Sequence, residues 1–305
     1  MKRVVLAAIG CLALSAGVAS ASSGTQPTGQ IVLGMNHFCS ANGGNGGGKV
    51  PVDCGKGEIA VVNADGSGLR ILTHDKVTET SPTWSPNHEQ IAFLRPRKHT
   101  SDQIWVMNAD GSHQRALTHF HSAPQLYGND VTPALSWSPD GQEIVFSAFR
   151  NDQGGREQLY EVSVRTHAVH RLTNLSYGAT QPEWSPDGRW IAFVGAVAPD
   201  RIYLLSARSH RAHVVGKATG QGLAWSPDSK QLVFNFRGKL TLVNTAGTHY
   251  RSLRVWGFTP SWSPDGQWIV FGYGDYIKEI RPNGQGIRHI LYVTSKKGVN
   301  FEPNW

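Results

Sequence analysis

The phrase Trp184-Ser185-Pro186-Asp187-Gly188, followed by the apolar segment 190–193, recurs along the chain. Related phrases begin at Trp84, Trp137, Trp225 and Trp262, and a shorter version ends the chain at Trp305. Nine residues after each of the first five tryptophans stands a phenylalanine: Phe93, Phe146, Phe193, Phe234 and Phe271. A fixed local unit with variable segments between its copies is the pattern of a repeat fold.

Each copy of the phrase predicts a tight β-hairpin. Proline fixes φ at the first turn position, Asp or Asn bonds to the local backbone, and Gly supplies a positive φ. Further β-rich segments complete the unit, such as 202–205 and 171–173, with a second turn at Asn108-Ala109-Asp110-Gly111 and its relatives. Four antiparallel strands per repeat, with tryptophans 37 to 53 residues apart, predict the blades of a β-propeller.

This combination of motifs resembles the TolB-type, WD-repeat-like β-propeller family from about residue 30 to the end. The resemblance implies an all-β, six-bladed propeller of four-stranded antiparallel blades. The first apolar strand, 31–33, has no Trp-Ser-Pro phrase before it, and the last phrase, 301–305, has no strands after it. We therefore predict that the N- and C-terminal strands pair within one blade and close the ring, which removes exposed edges.

The chain begins with the features of a targeting segment. Lys2 and Arg3 precede an apolar run that ends at the small residues 19–21, and the run is short for a membrane span. We predict no membrane span in the mature chain. The predicted parts are a signal peptide at 1–21, a flexible leader at 22–29 and the propeller at 30–305.

The cysteines and the net charge indicate a disulfide and limit the classes of binding partner. After removal of the signal peptide two cysteines remain, and in an exported protein Cys39 and Cys54 are expected to form a disulfide. Loss of Lys2 and Arg3 lowers the formal net charge from +7 to +5. This excess favours acidic partners weakly, and because no basic run is present we expect no nucleic-acid partner.

Candidate catalytic chemistry is sparse. The repeated turn aspartates occupy equivalent positions around a ring, so turn formation explains them better than an active site. The inner-strand positions just before the tryptophans include a single acid, Glu183, which is too little for a hard-metal cage. His119 and His121 could be zinc ligands, but solvated histidines are the favoured interpretation. We predict no catalytic residue, no metal and no cofactor.

The predicted strand order gathers the loops after the second and fourth strands on one face, here called the long-loop face. These loops cover residues 36–56, 95–102, 119–130, 150–156, 175–180, 217–221, 254–258 and 295–300. Their aromatic and cationic side chains are candidate binding residues, with loop packing an equally favoured alternative. The candidates are Tyr127, Tyr177, Trp256, Lys217, Lys296, Lys297, His119 and His121, and Arg95 lies among them.

These observations predict an exported, monomeric, non-enzymatic propeller, located in the periplasm or outside the cell. The family resemblance implies a protein or peptide partner of the cell envelope, bound at the long-loop face. The resemblance does not extend to the α/β domain that precedes the propeller in the full-length family member, so a role in a Tol system is not implied. The alternative is an extracellular hydrolase or lyase with its site at the mouth of the propeller channel, and a passive structural module is a third possibility.

Overall fold

A computed structural model shows strands and turns throughout the part of the chain that it describes. The described residues are 29–41, 50–74, 77–97, 102–120, 135–149, 156–196, 201–217, 222–274, 276–292 and 299–305, with the backbone alone at 35–41, 50–56 and 299–302. The predicted signal peptide, and the leader up to residue 28, lie outside them. No helix in these ranges is long and apolar enough to cross a membrane.

The strands form six four-stranded antiparallel sheets, the blades of the predicted propeller. Blade 1 contains β1 (Gln30–Ala41), β2 (Val50–Asn63), β3 (Arg70–Ile71) and β24 (Val299–Asn304). Blade 2 contains β4 (Thr80–Trp84), β5 (Gln90–Arg95), β6 (Gln103–Asn108) and β7 (Arg115–Ala116). Blade 3 contains β8 (Leu135–Trp137), β9 (Glu143–Phe149), β10 (Glu157–Ser163) and β11 (Val169–Arg171).

The remaining three blades have the same order as blades 2 and 3, from the inner to the outer strand. Blade 4 contains β12 (Thr180–Trp184), β13 (Trp190–Val194), β14 (Arg201–Ser206) and β15 (Ala212–Lys217). Blade 5 contains β16 (Leu223–Trp225), β17 (Gln231–Phe236), β18 (Lys239–Asn244) and β19 (Tyr250–Trp256). Blade 6 contains β20 (Phe258–Trp262), β21 (Ile269–Tyr273), β22 (Tyr276–Ile280) and β23 (Arg288–Tyr292).

The ring closes as predicted, through the two ends of the chain. Strand β24 pairs antiparallel with β1, where Val32 lies opposite Asn304 and Leu33 opposite Pro303. The inner strands β4, β8, β12, β16, β20 and β24 contact one another in sequence, and β24 returns to contact β4. The last strand of the chain therefore provides the inner strand of the blade that the first strand begins.

The repeated turns confirm the structural role of their aspartates. In blade 3, the Ser138 hydroxyl donates to Asp140 Oδ1 at 2.6 Å and accepts the backbone N–H of Glu143 at 2.9 Å. Asp140 also accepts the N–H of Gln142, and these bonds hold the pKa of its carboxyl below its usual range. The same Ser-to-Asp bond recurs at Asp187, Asp228 and Asp265. The carboxylates are thus used locally by their own turns.

The blades are held together by one apolar cluster at each of the six blade interfaces. The phenylalanine nine residues after each tryptophan is at most 1% exposed and contributes to one of these clusters. Phe193, for example, packs with Val145 and Leu159 of the preceding blade. The repeat spacing therefore encodes contacts between blades as well as hairpins within them.

Strands β1 and β2 extend beyond the blade as a hairpin that carries both remaining cysteines. Cys39 lies opposite Val52, and Phe38 lies opposite Asp53, the residue before Cys54. The segment expected to be a loop is thus partly strand. The cysteine side chains lie outside the described residues, so the disulfide remains a prediction.

We expect the mature, unreduced, denatured protein to show no free thiol. Closing a loop of this length contributes about 3 kcal/mol in the chain-entropy model, because the crosslink restricts the unfolded chain. Thiol titration of a chain that begins after residue 21 measures this directly, and the reduced protein, with Cys39 and Cys54 free, is the positive control. Detection of both thiols without reductant would contradict the disulfide.

Candidate binding site

A central channel runs between the inner strands, and described residues line two cavities within it. The larger, of about 370 Å³, lies at the end formed by the Trp-Ser-Pro turns, here called the turn face. All six motif tryptophans line it. The smaller, of about 100 Å³, lies toward the long-loop face and is lined by the starts of inner strands, including Ser81, Gln181 and Thr259. Glu183 and Asn304 line both cavities and so mark the boundary between them.

Polar side chains just before the tryptophans link neighbouring blades around the channel. Ser136 Oγ accepts the backbone N–H of Trp184 at 2.9 Å, and Ser261 Oγ accepts that of Trp305 at 3.0 Å. Asn304 Oδ1 likewise accepts the backbone N–H of Trp84 at 3.1 Å. Because each bond spans two blades, these small polar residues fix the channel wall as well as line it. The position that precedes the motif tryptophan is therefore structural in several blades.

Glu183 occupies this same position in blade 4 and has a different environment. Its carboxyl keeps partial contact with the cavities but is surrounded by protein, and this burial raises its pKa to about 8. A hydrogen bond with the Ser136 side chain opposes the shift only in part. Glu183 is therefore protonated in most molecules at neutral pH.

A second feature lies on the long-loop face of blades 5 and 6. Four large side chains there are exposed, and together they form what we call the aromatic patch: Trp256 (54% exposed), Phe258 (48%), Tyr273 (42%) and Tyr292 (48%). Strand pairing brings Phe258, Tyr273 and Tyr292 together, because Phe258 lies opposite Gly272, next to Tyr273, and both tyrosines pair with Tyr276. Trp256 precedes Phe258 by two residues in the chain. Such clustered exposed aromatics mark interaction surfaces.

Trp256 packs against a tight turn. Phe236 pairs with Lys239 across a two-residue connection in which Arg237 and Gly238 have φ of 52° and 83°. A Cβ on Gly238 would lie 2.0 Å from the Trp256 ring, so only glycine leaves room for this arrangement. The indole therefore packs against the backbone of this turn, although the residue is 54% exposed.

Cations accompany the patch. Lys239 Nζ lies 5.8 Å from the Trp256 ring centroid, and Lys278 Nζ lies 4.6 Å from that of Tyr273. These distances are within the range of cation–π attraction. The patch thus combines apolar area with positive charge on a rigid base.

Several predicted contact residues have other positions. Tyr177 is half-buried and stacks on Tyr203 at 4.7 Å between ring centroids. Its ring therefore packs against blade 4. Arg95 is engaged by the fully buried Glu79 and lies over the Trp105 ring at 4.3 Å, so it serves the interior of blade 2. Lys217 and His119 are exposed on the long-loop face. Tyr127, His121, Lys296 and Lys297 lie outside the described residues.

The sequence also missed part of the surface. Residues 254–258 were expected to form a loop, yet they end β19 and begin β20. Phe258 and Tyr273 flank short connections rather than long ones. The signal was present in the pairs Arg237-Gly238 and Gly274-Asp275, each flanked by β-forming residues, since glycine in a two-residue connection indicates a tight hairpin.

Among the described residues no three His, Cys, Asp or Glu side chains come together in a way that could hold a metal ion.

A family model described as the TolB beta propeller domain matches residues 97–198. The uncharacterized peptidase YuxL of Bacillus subtilis (strain 168) is 27% identical over 199 residues, which are 60% of this chain and 28% of that protein. The uncharacterized protein Atu1656 of Agrobacterium fabrum is 25% identical over 60% of this chain and 63% of its own length. The chain thus spans less than two thirds of either relative.

Solved structures agree on the fold. TolB from Acinetobacter baumannii superposes with a TM-score of 0.69 at 20% identity, covering 92% of this chain and 67% of that one. The nidogen/laminin complex gives a TM-score of 0.65 at 9% identity, covering 89% and 96%. Blade number and ring closure define a six-bladed β-propeller whose channel is lined by the inner strands. The domain match over residues 97–198 and the structural likeness to TolB agree with the predicted TolB-like propeller fold.

Proposed function

We propose that this protein is an exported, non-enzymatic propeller that binds a protein or peptide partner of the cell envelope through its long-loop face. The observation that supports this most is the aromatic patch, because large aromatic side chains exposed on a rigid scaffold are typical anchors of binding surfaces. The TolB resemblance supports an envelope partner. The predicted signal peptide supports export to the periplasm or beyond.

The charges near the patch favour an acidic partner segment. Lys239 and Lys278 lie beside the patch aromatics, and Arg237 Cζ lies 5.4 Å from the Phe236 ring centroid. A carboxylate on the partner could approach these cations while an apolar side chain covers Trp256. Opposite charges at such a rim accelerate association and select partners more than they add affinity.

We expect Trp256→Ala to weaken binding at least about tenfold, because truncation of a central aromatic anchor typically costs ~2 kcal/mol or more. The measurement is the Kd of each variant for a partner identified by crosslinking in envelope extract and then purified. Circular dichroism and thermal unfolding establish that the variant is folded.

The matched control is Ile287→Ala, which removes an equally exposed apolar side chain (50%) away from the patch. Asp187→Ala is a poor control because Asp187 holds its own turn through Ser185. Unchanged binding by Trp256→Ala, together with loss of binding by Ile287→Ala, would contradict the proposal and indicate that the partner binds on another face.

A hydrolase with a site at the channel mouth is the second candidate. The relative YuxL is named a peptidase, although this chain spans 28% of it. Glu183 is the described channel residue that could act as an acid, since burial keeps it protonated at neutral pH. Incubation with a mixed peptide library and mass spectrometry would support this candidate only if cleavage disappears in Glu183→Gln.

A further inference from the structure

Glu183 is a carboxyl that has no counter-ion among the described residues. Burial and the bond with Ser136 are the influences on its pKa, and no lysine, arginine or histidine contributes. Among the described residues that line the two cavities, Glu183 is the single ionisable side chain, and the others are Ser, Thr, Pro, Gln, Asn, Gly, Ala, Leu and Trp. Buried carboxylates are normally paired or hydrogen-bonded on every side, so an open, unpaired one suggests that its partner arrives from outside.

The Ser136 hydroxyl is arranged to assist the charged form. Its oxygen accepts the Trp184 backbone N–H at 2.9 Å, which leaves its proton for the Glu183 carboxyl. This donor stabilises a carboxylate once a positive group is present. The geometry therefore provides for ionisation that burial alone opposes.

The rest of the cavity suits an organic cation better than a metal ion. Calcium requires six to eight oxygen ligands, whereas no cluster of three candidate ligands exists in the described part of the chain. The six motif tryptophans and their turn prolines instead make an aromatic and apolar wall. Tryptophan is the most favourable aromatic neighbour for a desolvated cation. The volume of about 370 Å³ is sufficient for a small molecule or one long side chain.

We propose that the central channel binds a guanidinium or ammonium group, which enters from the turn face and pairs with Glu183. The six motif tryptophans surround the carbon stem of the ligand, and Glu183 releases its proton as the cation binds. This site is separate from the aromatic patch, so it stands or fails independently of the proposed partner interface.

Calorimetry with ethylguanidinium chloride tests the proposal in two buffers of different ionisation enthalpy. At pH 7 we expect proton release on binding of the cation, because a group with a pKa of about 8 is mostly protonated there. Affinity should be at least about tenfold weaker at pH 6 than at pH 9, since protonation of Glu183 competes with binding. Binding should also change tryptophan fluorescence.

Matched ligands and variants make the result specific. Ethylurea has nearly the same shape without the charge and should not bind, and Glu183→Gln should lose cation binding. Glu143→Gln, which removes a carboxylate outside the two cavities, should bind as the wild type does. Comparison of ethylguanidinium with the peptide Gly-Arg-Gly distinguishes a free cation from a peptide side chain, and tighter binding of the peptide identifies a peptide as the source.

Four outcomes would overturn the proposal: no binding of either cation by the wild type, equal binding of ethylurea, binding without proton release, or binding of calcium chloride in place of the organic cations. The proton measurement uses the wild type alone, so it decides the matter even where Glu183→Gln fails to fold.

Discussion

Removal of residues 301–305 is expected to destabilise the entire ring rather than its end. Trp305 is 7% exposed and belongs to the apolar cluster between blades 6 and 1. Its N–H donates to Ser261 of blade 6, and the neighbouring Asn304 accepts the N–H of Trp84 in blade 2. Loss of a core tryptophan alone typically costs ~3–5 kcal/mol, and the deletion also exposes the edge of β1.

Thermal and urea unfolding measure the effect, and we expect a single transition at much lower temperature or no folded protein. Trp256→Ala is the matched control, since it removes an indole that is 54% exposed and should change stability by less than ~1 kcal/mol. A truncated chain that unfolds cooperatively at the wild-type temperature would mean that closure of blade 1 does not support the ring.

Arg95→Ala is expected to lower stability by ~3–5 kcal/mol, which is unusually large for a residue near a loop. Arg95 Nε donates to Glu79 Oε1 at 2.8 Å, and the carboxyl of Glu79 is fully buried. The guanidinium lies over Trp105 at 4.3 Å and also donates to Gln114 at 2.8 Å. Truncation would leave a buried carboxyl without this partner and remove a packed side chain.

Arg189→Ala is the control for this ion pair. Arg189 also bonds a carboxylate, that of Asp187 at 2.7 Å, but its side chain is 77% exposed. An exposed pair contributes at most ~1 kcal/mol because water screens it. Urea midpoints compare the two variants. Similar small losses of stability for both would show that burial of Glu79 does not make its pair with Arg95 more stabilising than an exposed pair. The double variant Arg95→Ala/Glu79→Gln should recover part of the loss.

Much of the fold could be predicted because its determinants are local. Proline, aspartate and glycine select the turn within five residues, as the bonds around Asp140 show. Two copies lack the glycine, yet His88 and Ser229 adopt the same left-handed φ, of 57° and 58°. Local side-chain bonding and the flanking strands therefore specify the turn strongly enough to tolerate this departure. The unmatched strands at the two ends predicted ring closure by the same logic of pairing.

The candidate sites could be predicted only in part. Trp256 was identified from its type and position, but its support by Gly238 and its exposure depend on a close approach between separate strands. Arg95 illustrates the opposite error. A cation near a loop suggested a contact residue, whereas its partner Glu79 lies 16 positions away in sequence and is fully buried.

The amino-acid sequence is sufficient to predict the repeat, the turn chemistry, the number of blades and the closure of the ring, because each depends on contacts within one unit or on strand pairing. The assembled ring is needed to establish which side chains are buried, which face solvent and which lie together across blades. Glu183 shows the difference most clearly. The sequence placed it on an inner strand, but its raised pKa arises from desolvation by the surrounding inner strands of other blades, and desolvation is a property of the assembled ring.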